Sequence, residues 1–87
     1  MTVDFKGIVM STTQQLAVYD FYTKTIKSNI GLRGFTLQLR VEKAASLEEL
    51  RQLREPYLEA VLKAKGRDKA ALLARQLDQL LHIPAAD

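Results

Sequence analysis

Eighty-seven residues, 47% of them apolar and 26% charged, make one small globular domain with a modest core. The absence of cysteine excludes disulfides and thiolate metal sites, and no apolar run approaches the roughly 20 residues of a membrane span. A net charge of +3 permits an anionic partner without demanding one, and the N-terminus lacks the basic-then-apolar plan of a signal peptide, so a cytoplasmic protein is expected.

The first nine residues, MTVDFKGIV, precede Met10-Ser11-Thr12-Thr13. Lys6-Gly7 is encoded by AAR-GGN, which can spell a purine-rich ribosome-binding sequence two codons before Met10, as in a bacterial gene. Residues 1–9 are therefore expected to be a non-native or disordered extension, with residues 10–83 as the helical domain and 84–87 as a frayed tail. The competing reading is a short strand, because Val3, Phe5, Gly7 and Val9 alternate with their neighbours.

A first helix is expected over 12–28, capped by Thr12 or Thr13. Leu16, Tyr19, Thr23 and Ile26 fall on one face, with Val18 and Tyr22 beside it. Lys24 and Lys27 suit the negative end of its dipole. Ser28, Asn29, Gly31 and Gly34 then break the pattern.

Residues 35–42, FTLQLRVE, support two readings. As a strand they put Phe35, Leu37, Leu39 and Val41 on one face and Thr36, Gln38, Arg40 and Glu42 on the other. That strand would pair with residues 2–9 or with its own copy across a dimer, giving an α/β fold. As a helix they carry two apolar stripes: Leu32, Phe35 and Leu39 on one side, and Ile30, Leu37, Val41 and Ala44 nearly opposite. Such a helix suits a position wedged between two others. The helical neighbours tip the reading to helix.

Ser46-Leu-Glu-Glu49 is a capping box that opens a helix over 46–65. Leu47, Leu50, Leu53 or Arg54, Tyr57, Leu58, Val61 and Leu62 follow at helical spacing. Pro56 lacks an N–H and clashes with the carbonyl of Gln52, so it is expected to kink the helix or split it after Glu55. Gly66 stops it. Asp68 opens a last helix over 68–82, whose seam is Ala70, Leu73, Leu77 and Leu80, flanked by Leu72 and Leu81. The short turn makes these two an antiparallel hairpin, and Pro84 ends the second. The expected fold is thus a mostly α, three- to four-helix bundle with a C-terminal helical hairpin.

Chemistry is sparse along this chain. The only histidine, His82, reads as a cation at a helix end paired with Asp78, and one histidine without cysteine cannot build a His/Cys metal cluster. Glu55 and Glu59 read as surface i,i+4 partners of Arg51 and Lys63. No glycine-rich phosphate loop or nucleophile motif is present. No catalytic residue, cofactor site or metal site is therefore expected. Tyr19, Phe21 and Tyr22 diverge around a helix, so one or two rings belong in the core and a tyrosine at the rim or in an interface.

A strand at 35–42 followed by a capped helix, Gly66 and a second helix resembles the ribbon-helix-helix plan of small DNA-binding dimers. That resemblance implies that Thr36, Gln38 and Arg40 contact DNA in the major groove. The chain departs from the plan: the helix after the strand is too long, Pro56 interrupts it, and a helical segment precedes the strand. The favoured expectation is a non-enzymatic protein–protein interaction module, regulatory or adaptor in kind and able to form a homodimer. Leu37, Val41 and Tyr22 are the candidate partner-interface residues, because segment 30–44 and the leucine seam carry more apolar surface than one small bundle hides. N-terminal sequencing of the native protein tests the extension: a product beginning at Met1 or Thr2 would sink it.

Overall fold

The structure, a computed structural model, describes the backbone of residues 2–81 and the side chains of residues 13–81. Every regular element among them is helical: α1 (Thr2–Thr25), α2 (Phe35–Lys43), α3 (Leu47–Gln52), α4 (Arg54–Lys65) and α5 (Arg67–Leu81). They form a small helical bundle in which no helix is long and apolar enough to cross a membrane.

Helix α1 runs without interruption from Thr2, so Thr12 and Thr13 lie inside it and do not cap it. No proline or glycine stands between Ile8 and Thr25 to stop the helix there. Past Thr25 the backbone widens into a π-helical turn, Ile26–Ile30, closed by a hydrogen bond from the Gly31 N–H to the Ile26 carbonyl. Side chains take up carbonyls around this widening. Thr25 Oγ1 donates to the Phe21 carbonyl at 2.7 Å, Ser28 Oγ to Lys24 at 2.9 Å, and Asn29 Nδ2 to Thr25 at 3.1 Å. Gly31, at φ +72°, adopts a conformation that side chains resist, and a 3₁₀ turn, Gly31–Gly34, reverses the chain.

Segment 35–42 is helix α2, which corrects the strand reading. Strict alternation across eight residues also places 35 with 39 and 37 with 41, both i,i+4 pairs on a helix. A strand here would have no partner, since residues 2–9 are helical as well and the described residues contain no strand. Leu37 and Val41 are buried, whereas Phe35 and Leu39 are exposed. The expected wedge between two helices is therefore corrected to a helix covered on one side.

The capping box forms at α3. Ser46 Oγ accepts from the Glu49 N–H at 3.2 Å, and Glu49 Oε1 reaches back to the Ala45 N–H at 2.9 Å. The expected long helix splits, but at Leu53 and not after Glu55. The split places Pro56 in the first turn of α4, where a missing N–H costs nothing and the clash with Gln52 is relieved. Gly66, at φ +92°, ends α4 with its N–H on the Leu62 carbonyl at 2.9 Å and leads directly into α5. Arg54 at the start of α4 meets Asp78 near the end of α5, so the two helices run antiparallel.

The core is a single cluster. It takes Val18, Tyr22 and Ile26 from α1 and its π turn, Leu37 and Val41 from α2, Leu50 and Leu53 from α3 and the break, Tyr57 and Val61 from α4, and Leu73, Leu77 and Leu81 from α5. Two expected faces shift by about one position. In α1 the buried stripe is 18, 22 and 26, and Leu16 is exposed. In α5 Leu81, not Leu80, completes the row that begins with Leu73 and Leu77. Gln14 ties the far ends of the chain together, its Nε2 donating to the carbonyls of Leu80 at 3.0 Å and Leu81 at 3.4 Å. His82 and the 84–87 tail lie outside the described residues.

Gly34 is where the reversal is tightest. A Cβ there would stand 2.5 Å from Ile26 Cγ2 and 3.1 Å from Ile30 Cγ2. Both neighbours are stiff β-branched side chains and Ile26 is buried, so Gly34→Ala is expected to cost about 1–3 kcal/mol. Urea unfolding checks this; a midpoint equal to the parent's would show that the reversal has slack.

Candidate functional site

The described residues carry an accessible depression with an apolar floor. It is a groove of about 440 Å³ between the end of α1 and the outer side of α2, lined by Thr23, Ile26, Lys27, Gly31, Leu32, Gly34, Phe35, Gln38 and Glu42. Thr23 and Gln38 bridge its middle, Gln38 Nε2 donating to Thr23 Oγ1 at 3.1 Å and to Glu42 Oε2 at 3.3 Å. Leu32 is 95% exposed at one end, and Phe35, 65% exposed, stands on its wall with Leu39 alongside. The π turn and the two glycines set the groove's shape. The turn brings Ile26 against Gly34, and the reversal lays α2 back along α1.

The sequence-predicted site residues are redistributed. Tyr22, Leu37 and Val41, the candidate partner interface, are all core residues, at 0%, 8% and 1% exposure. Helical periodicity found the two stripes of α2 but not which of them the chain itself covers. The exposed stripe is the other one, Leu32, Phe35 and Leu39. Thr36, Gln38 and Arg40 no longer share a face. On a helix Thr36 and Arg40 sit together, one turn apart, and Gln38 points elsewhere, into the groove. The outward row of a DNA-reading ribbon does not exist in α2.

Tyr22 belongs to a buried aromatic cluster. Its ring lies 5.0 Å from that of Tyr57, edge to face at 72°, and Phe21 packs edge-on to both. Each phenol is satisfied. Tyr22 donates to the Leu50 carbonyl at 2.7 Å, and the Tyr57 hydroxyl and Thr25 Oγ1 are 2.7 Å apart. Burial pushes the Tyr22 phenol well above the ordinary tyrosine range, aided by its neighbour Tyr57 and opposed by the Arg54 charge. Burial raises Tyr57 too, although the Thr25 hydrogen bond pulls it back.

Arg54 forms a two-pronged bond to Asp78, Nε to Oδ1 at 2.8 Å and Nη2 to Oδ2 at 3.0 Å. This hydrogen bond raises the guanidinium's pKa despite some desolvation. Sequence reasoning gave Asp78 to His82, which lies outside the described residues, and Arg51 to Glu55. In the structure Arg51 meets Glu48 at 3.5 Å, because the break at Leu53 intervenes before Glu55. No sequence signal links residues 24 apart on different helices.

Among the described residues no three His, Cys, Asp or Glu side chains converge on a position that could hold a metal ion. Compared with family models, curated proteins and solved structures, the chain has no match.

The tyrosine cluster makes a pH prediction. The folded state keeps phenolic protons that the unfolded chain releases near pH 10.0. The stability carried by these raised values is therefore fully present below that pH and is lost as pH climbs through and beyond it. Tyr22→Phe removes the bond to Leu50 and is expected to cost about 1–2 kcal/mol at neutral pH, while flattening the alkaline decline. Urea midpoints at neutral and strongly alkaline pH for both proteins check this, and equal alkaline slopes would refute it.

Proposed function

We propose that this chain is a non-enzymatic protein-interaction module whose docking face is the outer side of α2 with the adjoining groove. The observation that carries the reading is the uneven burial of α2: Leu37 and Val41 pack inward while Leu32, Phe35 and Leu39 stand in solvent on the opposite side. Single exposed apolar residues are ordinary, but a leucine–phenylalanine–leucine stripe beside an apolar groove is the usual mark of a partner site. A helix with anchors at i and i+4 is also a common recognition element.

The ionisable groups with shifted pKa values support a binding role over a catalytic one. Tyr22 and Tyr57, shifted by burial, and Arg54, shifted by its bond to Asp78, are paired with a carbonyl, a hydroxyl and a carboxylate, and none of them lines the groove. The groove's own polar complement is Thr23, Lys27, Gln38 and Glu42, which offers no nucleophile paired with a base. Such a lining suits adhesion of an apolar surface with a few polar contacts at its margin.

The test is site-specific photo-crosslinking in the cells that make the protein. A benzophenone-bearing phenylalanine replaces Phe35, with Glu59 on α4 as the control position. The expected result is a discrete protein adduct from position 35, absent from position 59 and lost when Leu32 and Leu39 are changed to serine. No adduct from position 35, or the same smear from both positions, would overturn the reading.

A further inference from the structure

We propose that the occupant of this face is a second copy of the same chain, related by a two-fold axis through the middle of the groove. The inference rests on the interaction-module reading and names its partner. It comes from the order of contacts along the groove and from the opposite charges on either side of its Thr23–Gln38 bridge.

Helices α1 and α2 run antiparallel across the reversal. Gly34 sits against Ile26, Gln38 bonds to Thr23, and Ala44 lies beside Gln15 and Tyr19. The Thr23–Gln38 bridge therefore lies midway between Lys27 and Glu42 along the groove. Lys27 lies one turn beyond Thr23, toward the reversal. Glu42 lies one turn beyond Gln38, in the opposite direction. These two are the groove's charged residues, and neither has an ion-pair partner among the described residues.

A groove with opposite charges on either side of such a bridge complements itself under a two-fold rotation about it. The rotation exchanges the ends, so Lys27 of each chain meets Glu42 of the other, twice. Two copies packed in parallel register would instead set like charges together, which the rim disfavours. The same operation serves the apolar stripe. Leu39, near the midpoint, falls close to the axis and its own copy. Leu32 and Phe35, toward the Lys27 end, fall on the Glu42 end of the other chain and lose the water that surrounds them.

The expected association is in about the micromolar range. Sedimentation equilibrium of the full chain at low salt, across and above that range, is the experiment. Wild type is expected to dimerise reversibly. Lys27→Glu and Glu42→Lys are each expected to weaken the dimer about tenfold or more by placing like charges in contact. The double variant K27E/E42K restores it to near wild type, and circular dichroism verifies that each variant folds.

Wild type remaining monomeric throughout, while the probe at position 35 captures a different protein, overturns the second-copy inference and leaves the interaction reading standing. A monomer with no capture overturns both. A dimer that ignores both single changes, or that the double change fails to restore, uses another surface and also overturns the inference.

Discussion

The edge-to-face contact between Tyr22 and Tyr57 holds together the parts of this bundle that the sequence separates most awkwardly. Pro56 breaks a helix that would otherwise run from 47 to 65, and a break exposes carbonyls inside the core. Tyr22 resolves part of that problem by donating to Leu50 from a different helix, while its ring packs on the residue following the proline. Thr25, on the same face as Tyr22, satisfies the second phenol. Two large rings are thereby fully buried with both hydroxyls bonded, a condition that an apolar core tolerates and an unpaired hydroxyl would not. The placement of the end of α1 against α3 and the start of α4 rests on this arrangement.

With that centre fixed, α2 is left with one covered side. The core offers space for Leu37 and Val41, and the reversal at Gly31–Gly34 is too tight to let α2 roll Phe35 and Leu39 inward as well. In a chain of this length there is no sixth helix among the described residues to lay over the second stripe. The exposed face is thus a product of the same packing that makes the domain stable. A partner that covers it adds apolar burial without rearranging anything beneath.

The fold was largely legible in the residues. The capping box at Ser46, the stop at Gly66 and the periodicity of 70–81 all correspond to observed features, because each depends on local chemistry. The break was legible in kind but not in place: Pro56 announces it, yet the helix parts where the proline can become first-turn, three residues earlier. What single-chain periodicity could not settle was α2. A two-residue alternation in a short segment satisfies a strand and a two-striped helix alike, and only the absence of a strand partner decides between them. For the same reason periodicity offers Leu37 and Val41 as surface anchors although they are core, as is Tyr22 on α1. The pattern reveals that two stripes exist, and burial depends on residues far away in the chain. Lys27 and Glu42 carried no signal at all as a pair, since their relation arises from the reversal that brings α1 and α2 side by side.

The Gln14 amide joins the first described helix to the last carbonyls of α5, across 66 and 67 residues of sequence. Contacts of such separation form late and are entropically costly to close, whereas the α4–Gly66–α5 pair needs only local contacts. Once made, this link ties the middle of α1 to the final turn of α5. Opening the final turn of α5 therefore removes the acceptors of an amide halfway along α1, so the two segments share one local equilibrium.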